Sequence, residues 1–306
     1  MSNDVPTYGT TDEGPPSPAW LDRETYPFAS RWFKAPAGRM HYVDEGRGEV
    51  LVMVHGTPDW SFQYRTLIKC LSQNYRCIAM DYLGFGLSDK PADWAYTPEA
   101  HAANVAALIE GLGLSDVTLV VHDFGGPIGL SYALDHPVNV RRLILFNTWM
   151  FSGRGTKRYR SWRRVSRILG GRFGKLLYER FNFSARVVLK QSFADKSKLP
   201  RRVHQQYIQA LPTPASRRGT WMFAKHLVAS GDWYDGLWAR RAKIADKPTL
   251  ILWGTKDVAT GPEFLAKFRD LFTRAQVEEY DVGHFPQEEV GEALCPVVEQ
   301  FLSGAR

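Results

Sequence analysis

Cysteine is scarce in this chain, with three residues in 306, at positions 70, 77 and 295. An odd number without metal-ligand spacing implies neither a disulfide framework nor a thiolate metal site. None of the eight histidines falls in a His-Glu-x-x-His arrangement, so the usual zinc-hydrolase signature is missing as well. Gly84 and Gly86 belong to a strand-end turn that lacks the lysine of a phosphate loop, and no dinucleotide fingerprint follows an expected strand. The expectation is therefore no metal and no nucleotide or organic cofactor, with water as cosubstrate. The apolar runs fall far short of a membrane span, and the N-terminus shows no basic-then-apolar leader. A cytoplasmic, monomeric or weakly homo-oligomeric protein without membrane or nucleic-acid partners is the default.

What the chain does have is apolar mass. At 44% hydrophobic composition it can bury one large core and a smaller inserted layer. Short apolar runs at Met40–Val43, Glu49–Val54, Cys77–Met80, Val117–Val121, Leu143–Phe146 and Thr249–Gly254 read as strands. Thr97 and Pro98 open a helix running to Leu112. Continuous apolar strands separated by helices predict an α/β fold, a mostly parallel sheet covered by helices on both faces. Three proline residues, Pro15, Pro16 and Pro18, suggest an N-terminus that is loose or wraps the surface. After Phe146 the pattern turns helical and basic, which divides the chain into a core (1–148), an inserted helical cap (149–232) and a second core segment (233–306).

Serine is missing where the fold would use it. In Leu119-Val120-Val121-His122-Asp123-Phe124-Gly125-Gly126, a buried strand runs through a tight turn into a helix, as in the nucleophile elbow of α/β-hydrolases. Asp123 occupies the nucleophile position, and Val121 replaces the first glycine of the elbow signature. An aspartate before a helix is also a natural N-cap; the rest of the chain decides against that reading. The run Leu51–Pro58 is a strand entering a His-Gly turn, whose Thr57 amide, with that of Phe124, forms an expected oxyanion hole. Asp257 follows a late strand, and His284 lies on a loop before the last helix, expected from Glu292 to Leu302. The chain order of nucleophile, acid and histidine makes Asp123, Asp257 and His284 a triad.

A carboxylate is already ionised at neutral pH and attacks without losing a proton. Its attack on an sp³ carbon bearing a leaving group gives an alkyl ester, which His284 can hydrolyse by activating water. The segments His55–Arg65, Asp81–Pro91 and His122–Pro127 resemble the haloalkane dehalogenases of the α/β-hydrolase superfamily across essentially the whole core. That resemblance implies a small apolar halogenated substrate, water, a halide product and a covalent aspartyl intermediate. It also implies ring N–H or amide donors for the halide. Here Phe124 replaces the usual tryptophan after the nucleophile and Thr57 replaces an asparagine common in relatives, so Trp149 and Trp162 are the candidates for a substitute donor, with the choice between them open. The alternative is an epoxide hydrolase with the same triad and two cap tyrosines, drawn from Tyr159, Tyr178, Tyr207 and Tyr234.

Between Arg154 and Lys175 lie nine basic residues and no acidic one. Trp162, Val165 and Leu169 recur at spacings of three and four, so the expected arrangement is an apolar stripe on one face with solvated arginines around it.

Overall fold

The computed structural model describes residues 9–11 and 14–304. Its strands, in chain order, are β1 (Gly9–Thr11), β2 (Arg31–Ala35), β3 (Gly38–Glu45), β4 (Val50–Val54), β5 (Arg76–Met80), β6 (Val117–Asp123), β7 (Val140–Thr148), β8 (Thr249–Gly254) and β9 (Gln276–Tyr280). They form one sheet in the order β1-β2-β3-β5-β4-β6-β7-β8-β9. The first three pairings are antiparallel and the remaining five are parallel. Every residue of β6 and β8 is buried, which is why these strands read as unbroken apolar runs instead of alternating ones. Strands β1 and β9 are the sheet edges and β2 lies next to β1; polar and partly exposed positions dilute the apolar pattern in all three, and they are absent from the sequence reading.

Crossover helices pack on both faces. Thr97 caps the Pro98–Gly111 helix, its side chain accepting the Ala100 amide. The Gly125–Asp135 helix, buried at every residue from Gly125 to Leu134, returns β6 to β7. Between Thr148 and Thr249 the described residues form helices and turns only, including Lys157–Leu169, Arg172–Phe181, Arg201–Gln209, Arg218–Ala229 and Gly231–Ala239. The last of these runs through the expected boundary at 232/233, because its buried Tyr234 and Leu237 join the core cluster on that sheet face. No helix among the described residues is long and apolar enough to cross a membrane.

The cysteine reading needs correction. Cys70 and Cys295 form a disulfide across a sequence separation of 225, with Cα atoms 6.3 Å apart. The Arg65–Leu71 helix packs against the Leu294–Gly304 helix on the outside of the sheet. Only that packing brings together two cysteines whose spacing carries no signal. Cys77 remains free and buried. Residues 1–8 and 12–13, part of the expected loose N-terminus, lie outside the described residues. The proline run beyond them lies along the surface beside Trp20, Trp32 and Lys90.

Candidate active site

Strand β6 ends in a turn sharp enough to put Asp123 at φ 51°, a left-handed conformation uncommon outside glycine and retained where the surroundings over-determine it. The helix begins two residues later, and its close approach requires glycine: a Cβ at Gly125 would lie 2.1 Å from the Val54 carbonyl oxygen. Val121, standing where the elbow signature has glycine, is accommodated from the helix side, since a Cβ at Gly129 would come within 2.8 Å of Val121 Cγ1. The small residue has moved across the contact.

The His-Gly turn after β4 meets this elbow. The Thr57 amide donates to Asp123 Oδ2 at 2.8 Å. His55 shapes the turn: its Nε2 accepts the Tyr82 amide at 3.1 Å, leaving Nδ1 to donate to the Gly56 carbonyl at 2.8 Å. Burial lowers the His55 pKa to about 4, which keeps the ring neutral and this tautomer in place. Phe124 is the N-cap of the following helix, so its amide stands at the positive end of the helix dipole.

His284 bridges the two carboxylates. Its Nε2 lies 3.5 Å from Asp123 Oδ1 and its Nδ1 2.7 Å from Asp257 Oδ2, with all three groups buried. Burial alone would lower the His284 pKa, but Asp257 and Asp123 outweigh it and hold the proton well above the ordinary histidine range. Burial likewise opposes ionisation of Asp257. The His284 charge and donors from His284, Thr260 and Ala259 prevail and bring it down to about 2.

The sequence reading missed the residues that hold this triad. Asn147, near the end of β7, donates through Nδ2 to Asp257 Oδ2 at 3.0 Å and accepts the Gly254 amide at 2.7 Å. It thereby locks the ends of two neighbouring strands to the acid. The Thr260 hydroxyl donates to the same carboxylate oxygen. His122 Nε2 lies 2.8 Å from the His284 carbonyl oxygen, and Glu289 accepts the amides of Gly283 and Asp195, tying the histidine loop to the insertion. Asparagine at a strand end and glutamate in a helix have no distinguishing pattern, so only spatial adjacency reveals them.

A cavity of about 420 Å³ opens over the triad, lined by Thr57, Asp123, Phe124, Trp149 and His284 and roofed by the insertion. It separates the expected donors. Trp149 packs edge-on against Phe124 with ring centroids 4.8 Å apart, and its ring N–H is buried without a hydrogen-bond partner among the described residues, as is the Thr57 hydroxyl. Trp162 also lines the cavity, but its N–H is committed to the Ala259 carbonyl at 3.0 Å. The expected tyrosine pair is not assembled. Tyr178 lines the cavity, whereas the Tyr207 hydroxyl donates to Glu288 and that of Tyr234 to the His226 carbonyl. Tyr159 lies outside the lining, under the Arg163 guanidinium.

Residues 49–290 match the model of the alpha/beta hydrolase fold family. Haloalkane dehalogenase 2 of Mycobacterium tuberculosis (strain CDC 1551 / Oshkosh) is 33% identical over 291 residues, spanning 92% of this chain and 97% of the relative. The chain belongs to the haloalkane dehalogenase family of α/β-hydrolases. The fold of this family member is similar to that of the haloalkane dehalogenase DatA from Agrobacterium tumefaciens C58, with a TM-score of 0.80 at 24% identity, over 91% of this chain and 97% of that one. It is also 34% identical over 284 residues to a cis-3-alkyl-4-alkyloxetan-2-one decarboxylase of Xanthomonas campestris pv. campestris, spanning 87% of this chain and 93% of the relative.

Proposed function

We propose that the protein is a haloalkane dehalogenase in which Asp123 displaces halide from an sp³ carbon and the resulting ester is hydrolysed by water. The observation that carries this reading is the carboxylate at the elbow itself: Asp123 beside the Thr57 amide, with His284 between it and Asp257. Attack by Asp123 forms a C–O bond as the carbon-halogen bond breaks, and the halide leaves with the bonding pair. The ester is neutral, so one of the two charges holding the His284 proton disappears. His284 then releases that proton to water and serves as base for the water that attacks the ester carbonyl; the acyl C–O bond breaks, the alcohol leaves with the proton His284 took, and Asp123 returns as a carboxylate, while Asp257 keeps the ring oriented. The oxyanion that forms meets the amides of Thr57 and Phe124. The free ring N–H of Trp149 and the free Thr57 hydroxyl are the donors for the departing halide, and residues 149–232 act as the cap that excludes bulk water.

A cytoplasmic, monomeric or weakly oligomeric protein goes with this reading, although the Cys70–Cys295 disulfide weighs against a reducing compartment. The test is bromide release from 1-bromobutane and 1,2-dibromoethane by wild type and Asp123→Ala, with intact-mass measurement of His284→Gln after exposure to substrate. Bromide release lost in the first variant and a trapped alkyl adduct in the second are expected; bromide release surviving Asp123→Ala would refute the assignment.

One observation favours a second reading. Phe124 withdraws a ring donor from the leaving group, as suits a strained lactone whose leaving carboxylate stays tethered, and one relative is named as an oxetan-2-one decarboxylase. Carbon dioxide released from a cis-3,4-dialkyloxetan-2-one, with no bromide from either bromoalkane, would select it.

A further inference from the structure

Among the described residues, eight large hydrophobic side chains stand exposed, and six of them fall between residues 165 and 187. Phe173, Leu176 and Ile168 are 61%, 56% and 49% accessible. A seventh, Val258, lines the catalytic cavity together with Val165. The same stretch carries the charge of the molecule. Residues 157–186 hold ten lysines and arginines and one glutamate, a formal +9 against +7 for the whole chain, so the remainder is slightly acidic.

The geometry explains the pairing of these two properties. One face of the Lys157–Leu169 helix, through Trp162, Val165 and Leu169, lines the cavity. Arg160, Arg163, Arg164 and Arg167, at the same helical spacings, cluster on the opposite face. None of these four has an ion pair among the described residues, and Arg163 lies over the ring of Tyr159. The Arg172–Phe181 helix packs beside it and buries Gly174 and Tyr178, leaving Phe173, Leu176 and Arg180 outward.

We propose that this outer face of the insertion docks on anionic lipid membranes. Arginines without acidic partners pair with headgroup phosphates, while the interspersed phenylalanine, leucine and isoleucine side chains enter the headgroup-acyl boundary. A nucleic acid would satisfy the arginines and leave the aliphatic side chains in water. A second copy would set two strongly positive faces against each other.

The test is co-sedimentation of the full chain with vesicles of phosphatidylcholine alone and of phosphatidylcholine mixed with phosphatidylglycerol, at low and high ionic strength. Two variants accompany it, Phe173→Ser with Leu176→Ser, and Arg160, Arg163, Arg164 and Arg167 all changed to Gln. The expected result is binding to the anionic vesicles only, weakened by salt, with each variant reducing partitioning about tenfold or more. Wild-type circular dichroism shows that the variants fold, and bromide release from a water-soluble bromoalkane should be unchanged if the wild type has it. Absence of wild-type binding, equal binding to neutral vesicles, or full binding by the serine variant would overturn the proposal. So would lipid-independent self-association that the serine variant abolishes.

Discussion

With Phe124 in place of the expected tryptophan, two cavity-lining residues carry a buried donor without a partner among the described residues, the Thr57 hydroxyl and the ring N–H of Trp149, whose ring packs edge-on against Phe124. A buried donor without a partner is costly unless a ligand satisfies it. Trp149→Phe should therefore lower turnover of a chloroalkane about 100-fold, and that of the matching bromoalkane less, because bromide needs less help to leave. Equal losses, or none, in steady-state halide release would reassign the donor. His284 supports a second prediction. Its pKa is raised in the resting enzyme, and alkylation of Asp123 removes one of the charges responsible. Alkylation needs no proton transfer, whereas ester hydrolysis needs neutral imidazole. In quenched-flow measurements at falling pH the halide burst should persist while alcohol formation slows, about tenfold per unit once His284 stays protonated. The stability sign follows from the same shift. A raised folded pKa contributes stability fully present below the unfolded value, near 6.5, and lost as pH rises through the folded value. The Tm advantage of wild type over His284→Gln should shrink toward alkaline pH.

Strand ends carry the triad, and what aligns them is side-chain bonding between strands. Asn147 holds Asp257 and both backbone groups of Gly254, coupling β7 to β8 where ladder pairing between them has already ended at Phe146–Leu252. Asn147→Ala leaves Asp257 with fewer donors and takes one partner from each backbone group of Gly254, whose carbonyl still accepts the Asp257 amide at 3.4 Å. It should cost about 1–3 kcal/mol of stability and lower kcat by about tenfold with little change in KM, since the residue does not line the cavity. Denaturant unfolding and steady-state kinetics separate the two effects; a KM change with kcat intact would mean that it acts on binding instead. The helices of the insertion are tied to the same machinery, because the His284 amide donates to the Ser192 carbonyl at 2.8 Å.

Across the whole molecule, the Cys70–Cys295 disulfide closes a loop of most of the chain by joining an early helix to the last one. Loop-closure entropy for such a span corresponds to as much as about 5 kcal/mol. Reduction, or Cys70→Ser, should lower Tm by about 5–10 °C while leaving halide release at room temperature intact, because neither cysteine borders the catalytic cavity. Calorimetry with and without reductant checks this, and an unchanged Tm would mean the bond contributes no stability. Charge is unevenly distributed at this scale too, with the excess of positive residues confined to the insertion over the cavity.

The central strands, the elbow at Asp123 and the chain order of Asp123, Asp257 and His284 were determined by the sequence alone. Strands buried on both faces must be continuously apolar, and a nucleophile elbow demands particular residue types at adjacent positions. Strands β1, β2 and β9 were not legible, because at the margins of the sheet a strand meets solvent as well as core and carries polar residues among its apolar ones. Nor were the contacts of Asn147 and Glu289, the bonding of the Trp162 ring N–H to Ala259 while that of Trp149 has no partner among the described residues, or the Cys70–Cys295 bond. Each depends on which polar group or sulfur meets which other across a long stretch of chain, and only the packing of helices against the sheet decides that.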